Sequence, residues 1–441
     1  MLYLKSIMPV LDKFKDYSKT VLKNRQAKKE EQDEKYIVGL DVGTEFVKAL
    51  VAKVNDGGLE VVGVGRAHQK LADMQAGAIS DIAAVVANCD KALSEAEEKS
   101  GVNARTAVIG IAGELVKGTT ITVRCTRKNA AKHLDVEELE RIIALVQERA
   151  AAKAKKQLAW ELGGKEVEIR LVNSALVGID IDGYKVTNPI GFQGKDVLVQ
   201  LYTAFAPLIH LGALERTAGE LDLELLAVAA EPFAVARSVI GDDANATMSA
   251  ILMDVGGGTT DIAVINEGGM QGTKMFGIGG RAFTRSIERN LAIDFTKAEE
   301  LKLLLGTDKI PQNKKKSLET PIKKTLDVWI DGVELALGEF TKIDHLPNKI
   351  LLCGGGSSLD LLVEKLSDSD WYKNLPFTRK PQVVHIKPEQ VVGITDSTDD
   401  VTDHTYITAM GLLRVGLDTL QQESDHPASS IREKIDRMLR V

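Results

Sequence analysis

Two kinds of hydrophobic pattern alternate in blocks along this chain. Residues 36–54 (YIVGLDVGTEFVKALVAKV) read as strand, tight turn, strand, because short runs of Val, Ile and Leu flank a Gly-Thr turn. A third strand, GLEVVGVGRAH, follows the turn signal Asn55-Asp56-Gly57-Gly58. The period then changes: Ile79, Ile82, Val85, Val86, Cys89 and Leu93 recur at helical spacing. TAVIGIAG (106–113) reads as a short buried strand. The same order returns later. SAILMDVGGGTTDIAVIN (249–266) is strand, glycine turn, strand, and MQGTKMFGIGG (270–280) is a third strand. Two Asp-Val-Gly turns, starting at Asp41 and Asp254, mark an internal duplication into two similar α/β lobes. The repeated unit is not a dinucleotide βαβ unit, since strands joined by such short turns must run antiparallel.

Between the lobes, residues 113–201 form a small α+β insertion. It has a strand in LVKGTTITVRCTRK, a long amphipathic helix in DVEELERIIALVQERAAAKAKKQLA, and alternating strands up to the end of the block. Residues 307–345 are lysine-rich, with Leu326, Trp329, Ile330, Val333, Leu337 and Phe340 on one helical face. The expected division is an arm at 1–35 and a first lobe at 36–112 and 202–245 around the insertion. A second lobe at 246–306 and 346–420 surrounds the smaller subdomain 307–345. A polar linker at 421–429 leads to an amphipathic helix at 430–441, where Ile431, Ile435, Met438 and Leu439 share a face.

Charge changes this picture at the ends. The net charge of -7 argues against nucleic acid, but residues 1–29 hold eight Lys/Arg and two Asp, so they carry +6. The other 412 residues therefore carry about -13, and 430–441 within them carry +2. Residues 4–17 keep rough helical spacing of apolar residues among lysines, so both ends suit an anionic lipid surface. No apolar run reaches the ~18 residues a spanning helix needs, and charges interrupt the N-terminal apolar residues where a signal peptide would be unbroken. Three scattered cysteines give no metal or disulfide pattern, so a reducing cytoplasm is expected.

Candidate chemistry lies in the glycine turns. Asp41 ends a strand, where a carboxylate suits a hydrated Mg²⁺, and the Gly43–Glu45 amides with the Thr44 hydroxyl suit phosphate. Asp254 is followed by Gly256, Gly257, Gly258, Thr259 and Thr260. Three adjacent glycines weaken a strand unless a ligand lies against the backbone. Gly354, Gly355, Gly356 and Ser357 follow another strand, and suit either a base and ribose or a plain turn into a helix. Glu299 and Lys302, one helical turn apart, either meet a ribose and an adenine edge or form a surface pair. Glu231 either orients a water towards a γ-phosphate or caps its helix. Lys48 either pairs with phosphates or faces solvent.

In order and spacing, GLDVGTEFVK, AAEPFAVARSVIG, DVGGGTTDIAVI, LLCGGGSS and HTYITAMGLLRVGL resemble the nucleotide-cleft segments of the actin-like ATPase superfamily. Those segments are the first phosphate loop, first connecting helix, second phosphate loop, adenosine loop and second connecting helix. The match spans about 36–420. It implies an α/β fold of two duplicated ribonuclease-H-like lobes holding ATP and Mg²⁺. Within the superfamily the chain is most similar to the FtsA family, bacterial divisome homologues of actin. Its insertion follows TAVIGIAG, where that family has subdomain 1C, and carries Asn188-Pro189-Ile190-Gly191 between strands. It also ends in a polar linker and a short amphipathic helix. The resemblance implies ATP-dependent self-assembly at the inner face of the cytoplasmic membrane, with at most slow hydrolysis. It implies partners too: the C-terminal tail of the tubulin-like GTPase FtsZ and other divisome membrane proteins. Two features depart from that pattern. The N-terminal extension is outside it, and Lys48 stands where actin and the PilM family have lysine. An ATP-binding type IV pilus scaffold of the PilM kind is therefore the alternative. A metabolic kinase would need a substrate-activating Asp that is not placed here.

Overall fold

The computed structural model describes residues 35–424 apart from 56, 114–115, 241–246 and 308. The basic arm up to residue 34 and the amphipathic segment 430–441 lie outside the described residues. The first lobe opens with an antiparallel meander, β1 (Tyr36–Val42), β2 (Phe46–Asn55) and β3 (Gly58–His68). A small hairpin follows, β4 (Met74–Gln75) and β5 (Ala78–Ile79). Helix α1 (Ile82–Ser100) starts where the Asp81 side chain accepts the Ala84 N–H, and stops at Gly101 with φ 71°. Strand β6 (Thr106–Ile111) then lies parallel to β1.

The insertion comprises β7 (Lys117–Thr126), α2 (Val136–Glu161), β8 (Ile169–Ile181), β9 (Tyr184–Val186) and β10 (Asp196–Pro207). Leu139, Ile142, Val146, Ala150, Ala154 and Leu158 recur every three or four residues on α2 and are all buried against that sheet. Because β10 runs on to Pro207, the block extends six residues past the boundary expected at 201. The chain returns to the first lobe through α3 (Leu208–Glu220) and β11 (Glu224–Ala230), which lies parallel to β6, and enters α4 (Glu231–Ile240).

The second lobe repeats the plan with β12 (Ala250–Val255), β13 (Thr260–Asn266) and β14 (Gly269–Phe276). Helices α5 (Gly280–Leu291), α6 (Phe295–Leu304) and α7 (Gln312–Gly338) follow. The apolar face expected at 326–340 is buried, with Trp329 fully enclosed. Then come β15 (Lys349–Cys353), α8 (Asp360–Asp368), β16 (Gln382–His385), β17 (Ile394–Asp396) and α9 (Ile407–Ser424).

The sheets show the duplication directly. One runs β11-β6-β1-β2-β3-β17; the other contains β16-β15-β12-β13-β14 in the matching order. Two features depart from the sequence reading. The insertion's sheet is not separate, because β7 meets β14 at Gly272 and Thr119 and makes one nine-stranded sheet. Residues 394–420 belong to the stretch 346–420 expected in the second lobe, yet β17 pairs with β3 and α9 packs with the first lobe's core around Ile37, Leu50 and Val108. Apolar residues of α4 and α9 thus share one core between the two sheets.

Candidate functional site

Each lobe ends its first strand in a carboxylate at the same depth, because β1 and β12 hold equivalent places in matching sheets. Asp41 and Asp254 therefore face each other across a cleft, and a cavity of about 440 Å³ opens between them. That size suits a small-molecule ligand. Asp41, Glu231, Asp254 and Asp261 all line it, with Lys48 as their nearby cation. Lys48 Nζ lies 2.9 Å from Asp41 Oδ2, so it lines the cavity and does not face solvent. Thr408 on α9 donates its hydroxyl to Asp254 Oδ2 at 2.5 Å.

Four carboxylates and one lysine in a buried place hold surplus negative charge. Burial raises the Asp254 pKa, and Asp41 raises it further. Burial, then Asp41, Asp261 and Asp254, hold the Glu231 carboxyl well above the usual range. Burial, then Asp254, push Asp261 up to about 7. Lys48 is pulled down by burial, but the facing Asp41 wins and its pKa rises. Such a cluster fits a hard cation. Among the described residues no three His, Cys, Asp or Glu side chains are arranged to hold a metal directly.

The two glycine turns meet above this floor. A Cβ on Gly257 would lie 2.8 Å from Glu45 Cβ, and one on Gly258 would lie 3.0 Å from Thr44 Cγ2. Gly43, Thr44, Glu45, Gly256, Gly257 and Thr259 line the cavity. Gly355 faces open space, so a ligand has room where a side chain would stand. Gly354 has φ 80°, and a Cβ there would lie 2.0 Å from Asp254 Oδ1, so only glycine closes this turn.

The other end of the cavity is built by α6, α7 and the segment leading into α8. Glu299 and Lys302 pair at 2.9 Å and line the wall, and Lys302 also donates to the Gly280 carbonyl at 3.1 Å. Leu303, Leu305, Leu359 and Leu361 add an apolar side. Gly354, Gly355 and Gly356 line the cavity too, but they lead into a 3₁₀ turn (Gly355–Ser358), and α8 begins only at Asp360.

Three residues named from the sequence do not line the cavity, and one of them, Gly258, packs against the Thr44 side chain. Thr260 is buried behind the turn: its hydroxyl donates to the Ile278 carbonyl and accepts from Trp329 Nε1. Ser357 is fully buried and donates to the Gly354 carbonyl at 2.7 Å, while Ser358 lines the cavity. Strand alternation and the 3₁₀ turn point these two hydroxyls inward.

Other residues had no role in the sequence reading. Asp261 stands within the glycine motif, at the alternate strand position that faces the site. Arg281 follows a Gly-Gly pair at a helix start, which is a readable signal for a residue beside a turn. Thr408 is 154 residues from Asp254; it lies within the segment HTYITAMGLLRVGL, but nothing in that segment singles it out.

The model of the cell division protein FtsA family matches residues 251–411. Over 425 residues the chain is 27% identical to the cell division protein FtsA of Pseudomonas aeruginosa, covering 91% of this chain and 93% of that one. It is 26% identical over 352 residues to FtsA of Streptococcus pneumoniae, covering 75% and 73%. A chain of a solved PilM-PilN type IV pilus biogenesis complex superposes with a TM-score of 0.62 at 16% identity. It covers 86% of this chain and 98% of that one, a likeness of fold.

Proposed function

We propose, from the premise that this chain is an FtsA-like cell division protein with the actin-like ATPase fold, that it binds ATP with Mg²⁺ between its lobes. The observation that carries the reading is one cavity where two duplicated glycine turns meet over a floor of carboxylates. Gly43, Thr44 and Glu45 receive the phosphates from one lobe, and Gly256, Gly257 and Thr259 from the other. Asp41 and Asp254 hold the waters of Mg²⁺, which when bound offsets the charge of the phosphates and of the floor. Glu231 is the group that orients a water at the terminal phosphate. Glu299 and Lys302 meet the ribose and base, with Gly354, Gly355 and Gly356 beneath them and the leucine wall beside. Turnover is slow, since the role is that of a polymerising switch.

Beyond the cleft, the protein assembles with its own copies at the inner face of the cytoplasmic membrane, at the division site. It anchors FtsZ through the C-terminal tail of FtsZ and recruits other divisome membrane proteins. No described helix is long and apolar enough to cross a membrane. Contact with anionic lipid falls to 430–441, with 4–17 as a second segment, and polymerisation adds avidity to such weak anchors.

The direct test is thermal unfolding of the whole chain with and without Mg·ATP. A rise in Tm that Asp254→Ala abolishes supports the reading, and no rise with any nucleotide ends it. A second reading, a PilM-like pilus scaffold, is favoured by Lys48 on β2. Pull-down with an FtsZ tail peptide against a type IV pilus partner peptide separates the two. Loss of liposome co-sedimentation on deleting 429–441 tests the anchor.

A further inference from the structure

Arg281 stands at the first turn of α5, and that turn is fastened to the second glycine turn. The Gly280 N–H donates to the Gly256 carbonyl at 2.9 Å and the Arg281 N–H to the Gly257 carbonyl at 2.8 Å. The side chain then crosses to the other lobe. Arg281 Nε lies 2.6 Å from Glu45 Oε2, and Nη2 donates to the Thr44 carbonyl at 2.7 Å. Glu45 Oε1 is 2.8 Å from His68 Nε2 on β3. The pair is 236 residues apart in sequence and spans the cleft between the two glycine turns.

We infer that Arg281 and Glu45 form a latch between the lobes, which holds the cleft shut over its ligand and limits how fast the ligand leaves. This rests on the nucleotide reading above. The side chains are only 11% and 20% exposed, so water and salt screen them less than a surface pair. Each partner is tied to a glycine turn: Arg281 through its own amide, Glu45 by sitting within the first turn. When the lobes separate as rigid bodies, the charge pair and the bond to the Thr44 carbonyl must break together. The glycine contacts at Gly257 and Gly258 bring the turns within van der Waals distance but add no charge-assisted bond.

The test is release of a fluorescent ATP analogue from the whole 441-residue chain with Mg²⁺, followed by stopped flow. Arg281→Gln and Glu45→Gln are each expected to raise koff about tenfold or more, the range of one charge-assisted bond, while kon changes less than about threefold. The reversed pair, Glu45→Arg with Arg281→Glu, should bring koff back towards the original value. An unchanged koff in Glu45→Gln, which keeps the size and shape of the side chain, overturns the latch even where Arg281→Gln fails to fold. A lowered Tm with unchanged release also overturns it, since that is the mark of a structural role alone. A chain that binds no nucleotide overturns the nucleotide reading and the latch together; one that binds but releases at an unaltered rate overturns only the latch.

Discussion

Lys48 and Asp41 occupy facing positions on the antiparallel ladder of β2 and β1, and their side chains meet at 2.9 Å inside the cleft. The first glycine turn therefore carries its own counter-charge. This pair lies beside Glu231 and Asp254, where another unbalanced negative charge is expensive. Lys48→Met should cost about 3 kcal/mol or more, as breaking a buried pair does. Adding Asp41→Asn should recover most of that loss. Urea unfolding of the single and double variants measures it, and an additive double variant refutes the coupling.

Asp261 makes the ligand-free protein sensitive to pH. Its folded pKa is about 7, against an ordinary 3.8. Between those values the folded state holds a proton that the unfolded state has released, so stability must fall as pH rises through this window. The penalty is fully present above pH 7 and absent below the unfolded value. In Tm measurements from pH 5 to 8.5 without nucleotide, Asp261→Asn should flatten the slope. A slope unchanged by that substitution rules this carboxyl out as the source.

Thr408 holds Asp254 from the opposite lobe's core. Thr408→Val keeps the shape and removes the donor, leaving a buried carboxylate oxygen short of its bond at 2.5 Å. The expected loss is about 1–3 kcal/mol in the ligand-free state. The Tm rise on adding Mg·ATP should also shrink, because Asp254 loses its orientation. If stability falls but the ligand shift is intact, Thr408 serves packing only.

Gly65 sets the approach of β3 to α1. A Cβ there would lie 1.8 Å from the Ala92 carbonyl oxygen, a backbone atom that cannot swing aside. Gly65→Ala should therefore cost at least about 1–3 kcal/mol, the range for overpacking. Gly212, on the exposed side of α3, has nothing within 4 Å of such a Cβ. Gly212→Ala should stabilise by about 0.5–1 kcal/mol. Chemical denaturation of both variants compares the two directly.

Much of this fold was legible because its signals are local. The turn at Asn55-Asp56-Gly57-Gly58, the alternating strands and the stripe on α2 each need only a few neighbouring residues to declare themselves. The candidate site was legible as far as it consists of glycine turns, since Gly43 and Gly256 mark places where backbone must meet something close. Thr260 and Ser357 turn away from the cavity, and the motif could not tell this, because it names residues without saying which way a side chain points. The sequence leaves Lys48 open between anion and solvent, and only its ladder partner Asp41 turns it into the cleft.

By itself the sequence determined the duplicated lobes, the insertion between them and the chemistry of the two acidic glycine turns. These follow from periodicity and from backbone needs that travel with the residue type. Only the tertiary structure decided that β17 and α9 return to the first lobe, that the insertion's sheet joins the second, and that Thr408 and Arg281 reach across to Asp254 and Glu45. Those are meetings of residues far apart in the chain. Their energies depend on distance and burial, and neither is written in any short stretch of sequence.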